Sequence, residues 1–121
     1  MEFIEKKQIK CLSNPGVDSY QLLNPENSIS ERITITNVFV SPNAIQPRHI
    51  HETSEQIWIA IKGKGILLLD NNVEKTFIAG DVVRFADRDV HGLRNDSNEI
   101  FEYISVTSPP INFNYAYKDK K

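Results

Sequence analysis

Cysteine is almost missing from this chain: Cys11 is the only one in 121 residues. A lone thiol closes no internal disulfide, and none of its sequence neighbours would lower its pKa, so packing rather than cross-linking must hold the fold together. A reducing cytoplasm is the expected compartment. An excess of charge of one sign is also lacking, since 14 Lys and Arg face 16 Asp and Glu for a net charge of −2. No broad positive field exists to gather phosphates, which argues against nucleic acid as a partner. Long apolar runs are missing too. Ile66 to Leu69 is far shorter than the roughly 20 residues a helix needs to cross a bilayer, so no membrane role is expected. The N-terminal stretch mixes Glu2 and Glu5 with Lys6 and Lys7 and shows no apolar export core. Also lacking are a Gly-rich phosphate loop, a paired-carboxylate arrangement, and a Ser or Cys nucleophile motif.

What is present is a soluble-type composition, 40% hydrophobic and 25% charged, in a length that suits a single domain over residues 1–121. From residue 33 onward short apolar and β-branched runs are divided by turn chemistry, and no 3.6-residue stripe is long enough for a core helix. Ile33, Ile35, Asn37 and Phe39 alternate with Thr34, Thr36, Val38 and Val40 until Ser41-Pro42-Asn43 interrupts. Further strands are expected over 57–62, 66–69, 73–78, 82–85 and 100–107. Asp70-Asn71-Asn72 suits a tight hairpin because these residues tolerate positive φ. Residues 12–30 are less informative, with one strand across 20–23. The pattern predicts an all-β sandwich or barrel.

The chain's three histidines fall in two places, His49-Ile50-His51 and His91. Residues i and i+2 of a strand project to one face, so both imidazoles of the pair can reach a common ion, and a neighbouring strand can add the third. Imidazole ligation with open positions suits one divalent transition metal, Fe, Mn, Ni or Zn, better than Mg or Ca. With a reference pKa near 6.5, protons would compete for such a site between about pH 7 and pH 5.

The framework around these histidines resembles the cupin superfamily. Its first motif runs Gly, five residues, His-x-His, three or four residues, Glu, six residues, Gly; here Asn43, His49, His51, Glu55-Gln56 and Gly63 fall in that frame, over about residues 43–65. The second runs Gly, five residues, Pro-x-Gly, two residues, His, three residues, Asn. Gly80, Ala86-Asp87-Arg88, His91 and Asn95 follow it over about residues 80–95, and Ser108-Pro109-Pro110 is also similar to small cupins. Asn in place of the leading Gly is a mild change, because Asn also enters the left-handed region. Ala86 and Arg88 replace Pro and Gly, which predicts a different backbone for that turn.

The resemblance implies a double-stranded β-helix, or jelly-roll barrel, with a metal inside its mouth and usually a homodimer. It leaves the fourth ligand open: counting forward from His51 gives Glu55, counting back from Gly63 gives Gln56. Strand parity favours Gln56, which shares a face with Trp58 and Ala60, while Ile57, Ile59 and Ile61 form the other face and are expected in a core or a dimer interface. Trp58 and Tyr103 are candidates for the cavity wall and Arg94 for a polar group beside it, with a core role for the aromatics and a solvated loop cation for Arg94 as the plainer alternatives. The implied activity is metal-dependent chemistry of dioxygenase, isomerase or sugar-acid type, thus an oxidoreductase or isomerase acting on a small polar metabolite. The alternative is a non-catalytic sensor that binds a small molecule or carbohydrate in the same pocket.

Overall fold

Period-two alternation decides which side of each strand is buried, and it organises the whole chain. A computed structural model describes residues 1–120. It contains eleven strands: β1 (Lys10–Asn14), β2 (Val17–Leu23), β3 (Thr34–Val40), β4 (Ile45–His49), β5 (Glu55–Lys62), β6 (Lys64–Leu68), β7 (Glu74–Ile78), β8 (Val82–Phe85), β9 (His91–Arg94), β10 (Phe101–Ser108) and β11 (Asp119–Lys120). Among the described residues the only helical turns are short 3-10 segments at Lys6–Gln8, Asp70–Asn72 and Phe113–Ala116. All strand pairs are antiparallel. One sheet runs in the order β11-β1-β2-β3-β10-β5-β8 and the other β4-β9-β6-β7. The all-β expectation holds.

Inward side chains of the large sheet lie in register and change character from one end of the barrel to the other. At one end Val17, Val40 and Phe101 are aligned across β2, β3 and β10, and they pack with Phe77, Leu67 and Leu93 of the smaller sheet. One level on come Ser19, Val38, Tyr103 and Ala60, then Gln21, Thr36, Ser105 and Trp58, then Thr34, Thr107, Gln56 and Phe85. A close-packed apolar plug therefore gives way to a polar interior. Burial at the apolar end supplies much of the hydrophobic stabilisation, and Trp58 and Phe85 extend the same core toward the other end.

Several local expectations are met. Asn71 and Asn72 adopt φ of 56° and 61° in the β6–β7 hairpin, and Asn43 takes the left-handed φ of 67° that its replacement of glycine requires. Others are corrected. The Ile57, Ile59, Ile61 face is not core: burial pulls Gln56, Trp58 and Ala60 inward and turns the isoleucines outward, with Ile61 46% exposed. Residues 12–30 hold most of a two-stranded hairpin, β1 and β2, closed by Pro15-Gly16 with Gly16 at φ 74°, rather than a single strand at 20–23. The turn before His91 was expected to change its backbone, yet Arg88 itself has φ 66°, the conformation a glycine there would provide. Its amide donates to the His51 carbonyl oxygen at 2.7 Å, which compensates an arginine held in the left-handed region and ties together the two histidine-bearing segments.

One glycine sets the geometry of the smaller sheet. A Cβ at Gly92 would lie 2.6 Å from the Gln46 carbonyl oxygen and 3.0 Å from the Arg48 amide nitrogen, so β4 and β9 approach as they do only because position 92 has no side chain. Gly92→Ala is expected to destabilise the fold by about 1–3 kcal/mol, as overpacking against backbone does, and to push His49 away from His91. Urea unfolding measures the first effect, and a mutant as stable as the parent would refute the close-approach argument.

Candidate metal centre

His49 ends β4 and His91 begins β9, and the two are directly opposed in the strand register. His51 follows two residues after the end of β4. Their rings converge, with centroids 4.3 Å apart for His49 and His91, 5.0 Å for His49 and His51, and 5.1 Å for His51 and His91. One nitrogen from each lies within 4.8 Å of the other two. The three histidines read from the sequence therefore do meet, but His51 lies two residues past the end of β4 rather than on one strand with His49.

Hydrogen bonding fixes which nitrogens face the shared centre. His49 Nδ1 lies 2.8 Å from the Pro47 carbonyl oxygen and His91 Nδ1 lies 2.8 Å from the Asp89 carbonyl oxygen. A carbonyl only accepts, so each Nδ1 carries the proton and each Nε2 keeps a free lone pair, the tautomer a metal requires. Nε2 of His51 and of His91 are both buried without any partner. A buried polar nitrogen is rarely left so, and two aimed at one point fit a cation as the missing partner. The residues present thus fit a divalent transition metal.

Electrostatics agree. Burial, with a smaller contribution from the His49 charge, lowers the pKa of His51 to about 4 and that of His91 to about 3. His91 is 1% exposed, stacked on Phe85 with centroids 4.5 Å apart and edge-on to Trp58 at 5.5 Å, while Phe113 stands against His51 at 5.9 Å. These apolar walls remove the water that would stabilise an imidazolium. Proton competition at His51 and His91 therefore lies below the window of pH 5 to 7 that the reference value implies.

The two candidates for a fourth ligand lie on opposite faces of β5. Gln56 is buried and lines the same cavity as the histidines. Its amide is oriented by neighbours: Trp58 Nε1 donates to Oε1 at 3.1 Å and Nε2 donates to Thr107 Oγ1 at 2.9 Å. Oε1 retains a second lone pair. Glu55 points to the opposite face of β5, where its carboxylate pairs with Arg84 at 3.0 Å. Arg94 is likewise remote, bonded bidentately to Glu74 at 2.8 and 2.9 Å and to Asp96 at 2.7 Å. Tyr103 serves both core and cavity: it stacks on Trp58, and its hydroxyl donates to Gln46 Oε1 at 2.7 Å.

The histidines open onto a cavity of about 840 Å³ in the barrel mouth. Sequence reasoning missed part of its wall. The segment after Pro110 crosses the mouth and contributes Phe113, Tyr115, Tyr117 and Lys118, held by Asn14, whose side chain donates to the Ala116 carbonyl oxygen and accepts from the Lys118 amide, both at 2.9 Å. The alternation of aromatics at 113, 115 and 117 was the available signal.

A two-sheet antiparallel barrel with a three-histidine cluster in its mouth defines a class of protein, and comparison with known families gives the same answer. The cupin domain family matches residues 37–107, and the chain belongs to it. The fold is the double-stranded β-helix of that family. An uncharacterised protein of Methanocaldococcus jannaschii, MJ1618, is 26% identical over 100 residues, covering 82% of this chain and 75% of that one. Among solved structures, KdgF from a Halomonas species superposes with a TM-score of 0.75 at 18% identity, covering 92% of this chain and 96% of the other. The polyketide cyclase RemF of Streptomyces resistomycificus gives 0.76 at 18% identity over 89% and 79%. At these identities the likeness to the solved structures is one of fold.

The depressed histidine pKa values make a prediction about the metal-free protein. Below about pH 6.5 the unfolded chain protonates these two histidines while the folded chain does not, so falling pH favours unfolding until the folded-state values near 4 and 3 are reached. Stability is expected to be flat above about pH 6.5 and to drop by on the order of a few kcal/mol toward pH 4. Thermal melting across this range checks it. A His91→Gln variant should show a shallower decline, and an unchanged slope would mean that His91 is not held neutral.

Proposed function

We propose that the protein is a metal-dependent enzyme acting on a small polar metabolite, with one Fe, Mn, Ni or Zn ion held by His49, His51 and His91 and with Gln56, rather than Glu55, as the fourth ligand. The observation that carries this reading is the pair of buried, partnerless Nε2 atoms at the head of a cavity large enough for a metabolite. A bound ion would act there as a Lewis acid on a substrate oxygen, chemistry suited to isomerase or oxidoreductase reactions. The chain's own residues do the rest. Backbone carbonyls of Pro47 and Asp89 hold the imidazoles in the binding tautomer, Trp58 and Thr107 aim the Gln56 amide, and Phe113 keeps water from His51. Four protein ligands leave room for substrate on an ion that prefers six, whereas a structural site would be closed by the protein itself.

Metal analysis after dialysis against a mild chelator tests the centre. The parent should retain about one equivalent and His91→Ala should lose it, with affinity reduced at least tenfold; full retention by the mutant would refute the site. Separate loading with each of the four metals, followed by a screen of keto acids, sugar acids, catechols and thiols, tests catalysis. Binding without turnover under every metal would favour a sensor over an enzyme.

We also propose a homodimer through the outer face of the large sheet. Two apolar rows run across its strands in register, one of Ile35, Val106 and Ile57, the other of Ile104, Ile59 and Val82. Val82 is 64% exposed and sits on β8, a sheet edge with no further strand beyond it, both conditions that favour cover by a second copy. Light scattering at tens of micromolar should give twice the chain mass, and Val82→Glu should yield monomer. A monomeric parent would rule the proposal out.

A further inference from the structure

We infer that the strap crossing the mouth, residues 111–118, is a clasp for the metal centre: Phe113 positions the His51 ring, so that closure of the strap and occupation of the histidine site favour one another. This rests on the proposed metal site and adds how its third ligand is held. The first observation is an asymmetry among the histidines. Nδ1 of His49 and Nδ1 of His91 each lie 2.8 Å from a backbone carbonyl oxygen, which restrains both rings. The His51 ring makes no hydrogen bond among the described residues. Its backbone is anchored, with the carbonyl oxygen accepting from the Arg88 amide at 2.7 Å, but the choice of side-chain rotamer is left to packing. The aromatic neighbours of His51 are the other two histidine rings and Phe113, whose ring stands 5.9 Å away at 73° to the imidazole plane.

The second observation is how the strap is tied down. Thr34 Oγ1 bonds the amide and the carbonyl of Ile111 at 3.0 and 3.2 Å, Asn114 Nδ2 donates to Glu26 Oε2 at 2.6 Å, and Asn14 holds Ala116 and Lys118. The ties at Glu26 and Asn14 are exposed, so water can replace them and each contributes little. Phe113 is the one buried side chain between residues 111 and 118. A segment held mainly by exposed polar bonds opens locally while the barrel stays folded. On opening, Phe113 leaves His51 and the imidazole is free to turn away. An ion held by all three imidazoles is therefore bound best with the strap closed, and by linkage the bound ion holds the strap down by the same factor. Asn14 separates the clasp from the ligands, because its side chain bonds the strap and none of the histidines.

The probe is the metal alone, loaded into the full chain as whichever of Fe, Mn, Ni or Zn it retains at about one equivalent. Hydrogen exchange, read by mass spectrometry on a peptide covering the strap, is expected to slow about tenfold there when the ion binds, within the usual range of coupling between two sites. Asn14→Ala should speed exchange of the metal-free strap by about threefold or more, the effect of losing a hydrogen bond, and should speed metal loss to excess chelator by the same factor. Phe113→Ala should weaken metal binding by about tenfold and remove the protection that the ion gives the strap. Phe113→Leu, which keeps an apolar cover on His51, should retain most of both. If Phe113→Ala does not fold, the two Asn14→Ala rates decide. Metal that binds the parent without slowing strap exchange overturns the clasp and leaves the metal site standing, as does unchanged metal loss from an Asn14→Ala protein whose strap exchanges faster. Unchanged strap exchange in Asn14→Ala overturns the role given to Asn14. A chain that takes up none of the four metals overturns both the site and the clasp.

Discussion

The open end of the barrel is organised by three imidazoles aimed at one point. An imidazole presents a lone pair to an ion only through a nitrogen that carries no proton, and two things here favour that. Backbone carbonyls of Pro47 and Asp89 accept from Nδ1 of His49 and His91, which fixes the tautomer. Apolar rings around His91, namely Phe85 and Trp58, make the protonated form costly. Clustering three such groups with unbonded nitrogens works against folding, and the packing elsewhere in the barrel must offset it. The core that runs from Val17, Val40, Phe101, Phe77, Leu67 and Leu93 to Trp58 and Phe85 does so.

This division of labour follows from a simple property of strands. A strand of the large sheet contributes inward residues at several levels, and the same strand can therefore serve the plug at one end and the cavity at the other. β10 supplies Phe101 to the core, then Tyr103 at the boundary, then Ser105 and Thr107 to the polar interior. β5 moves from Ala60 through Trp58 to Gln56 in parallel. Stability and site geometry are coupled through these shared strands, so that a register shift in either would move every inward side chain to the outer face.

Much of this was legible along the chain because alternation and turn chemistry are local. The β-branched run at 33–40, the hairpin asparagines at 71 and 72, and the left-handed Asn43 all act through their own backbone, and each stands as read. So does the pairing of His49 and His51 with His91. Parity also separates Gln56 from Glu55 by the face of β5 on which each lies, inward beside the histidines or outward against Arg84. What misled was hydrophobicity taken alone. Three isoleucines look more like a core than Gln56, Trp58 and Ala60 do, but Trp58 and Ala60 are the ones that join the buried core, while the isoleucines lie on the outer face.

By itself, then, the sequence determined the all-β architecture, the histidine set and the cupin family, since each depends on spacing along one strand or between two recognisable segments. Only the tertiary structure decided the rest. The closeness of β4 to β9 at Gly92, the strap from Phe113 to Lys118 over the mouth and the lack of carboxylates in the cavity wall all bring together residues far apart in the chain. Which distant segments meet is set by the packing of the two sheets, and a one-dimensional pattern carries no term for it.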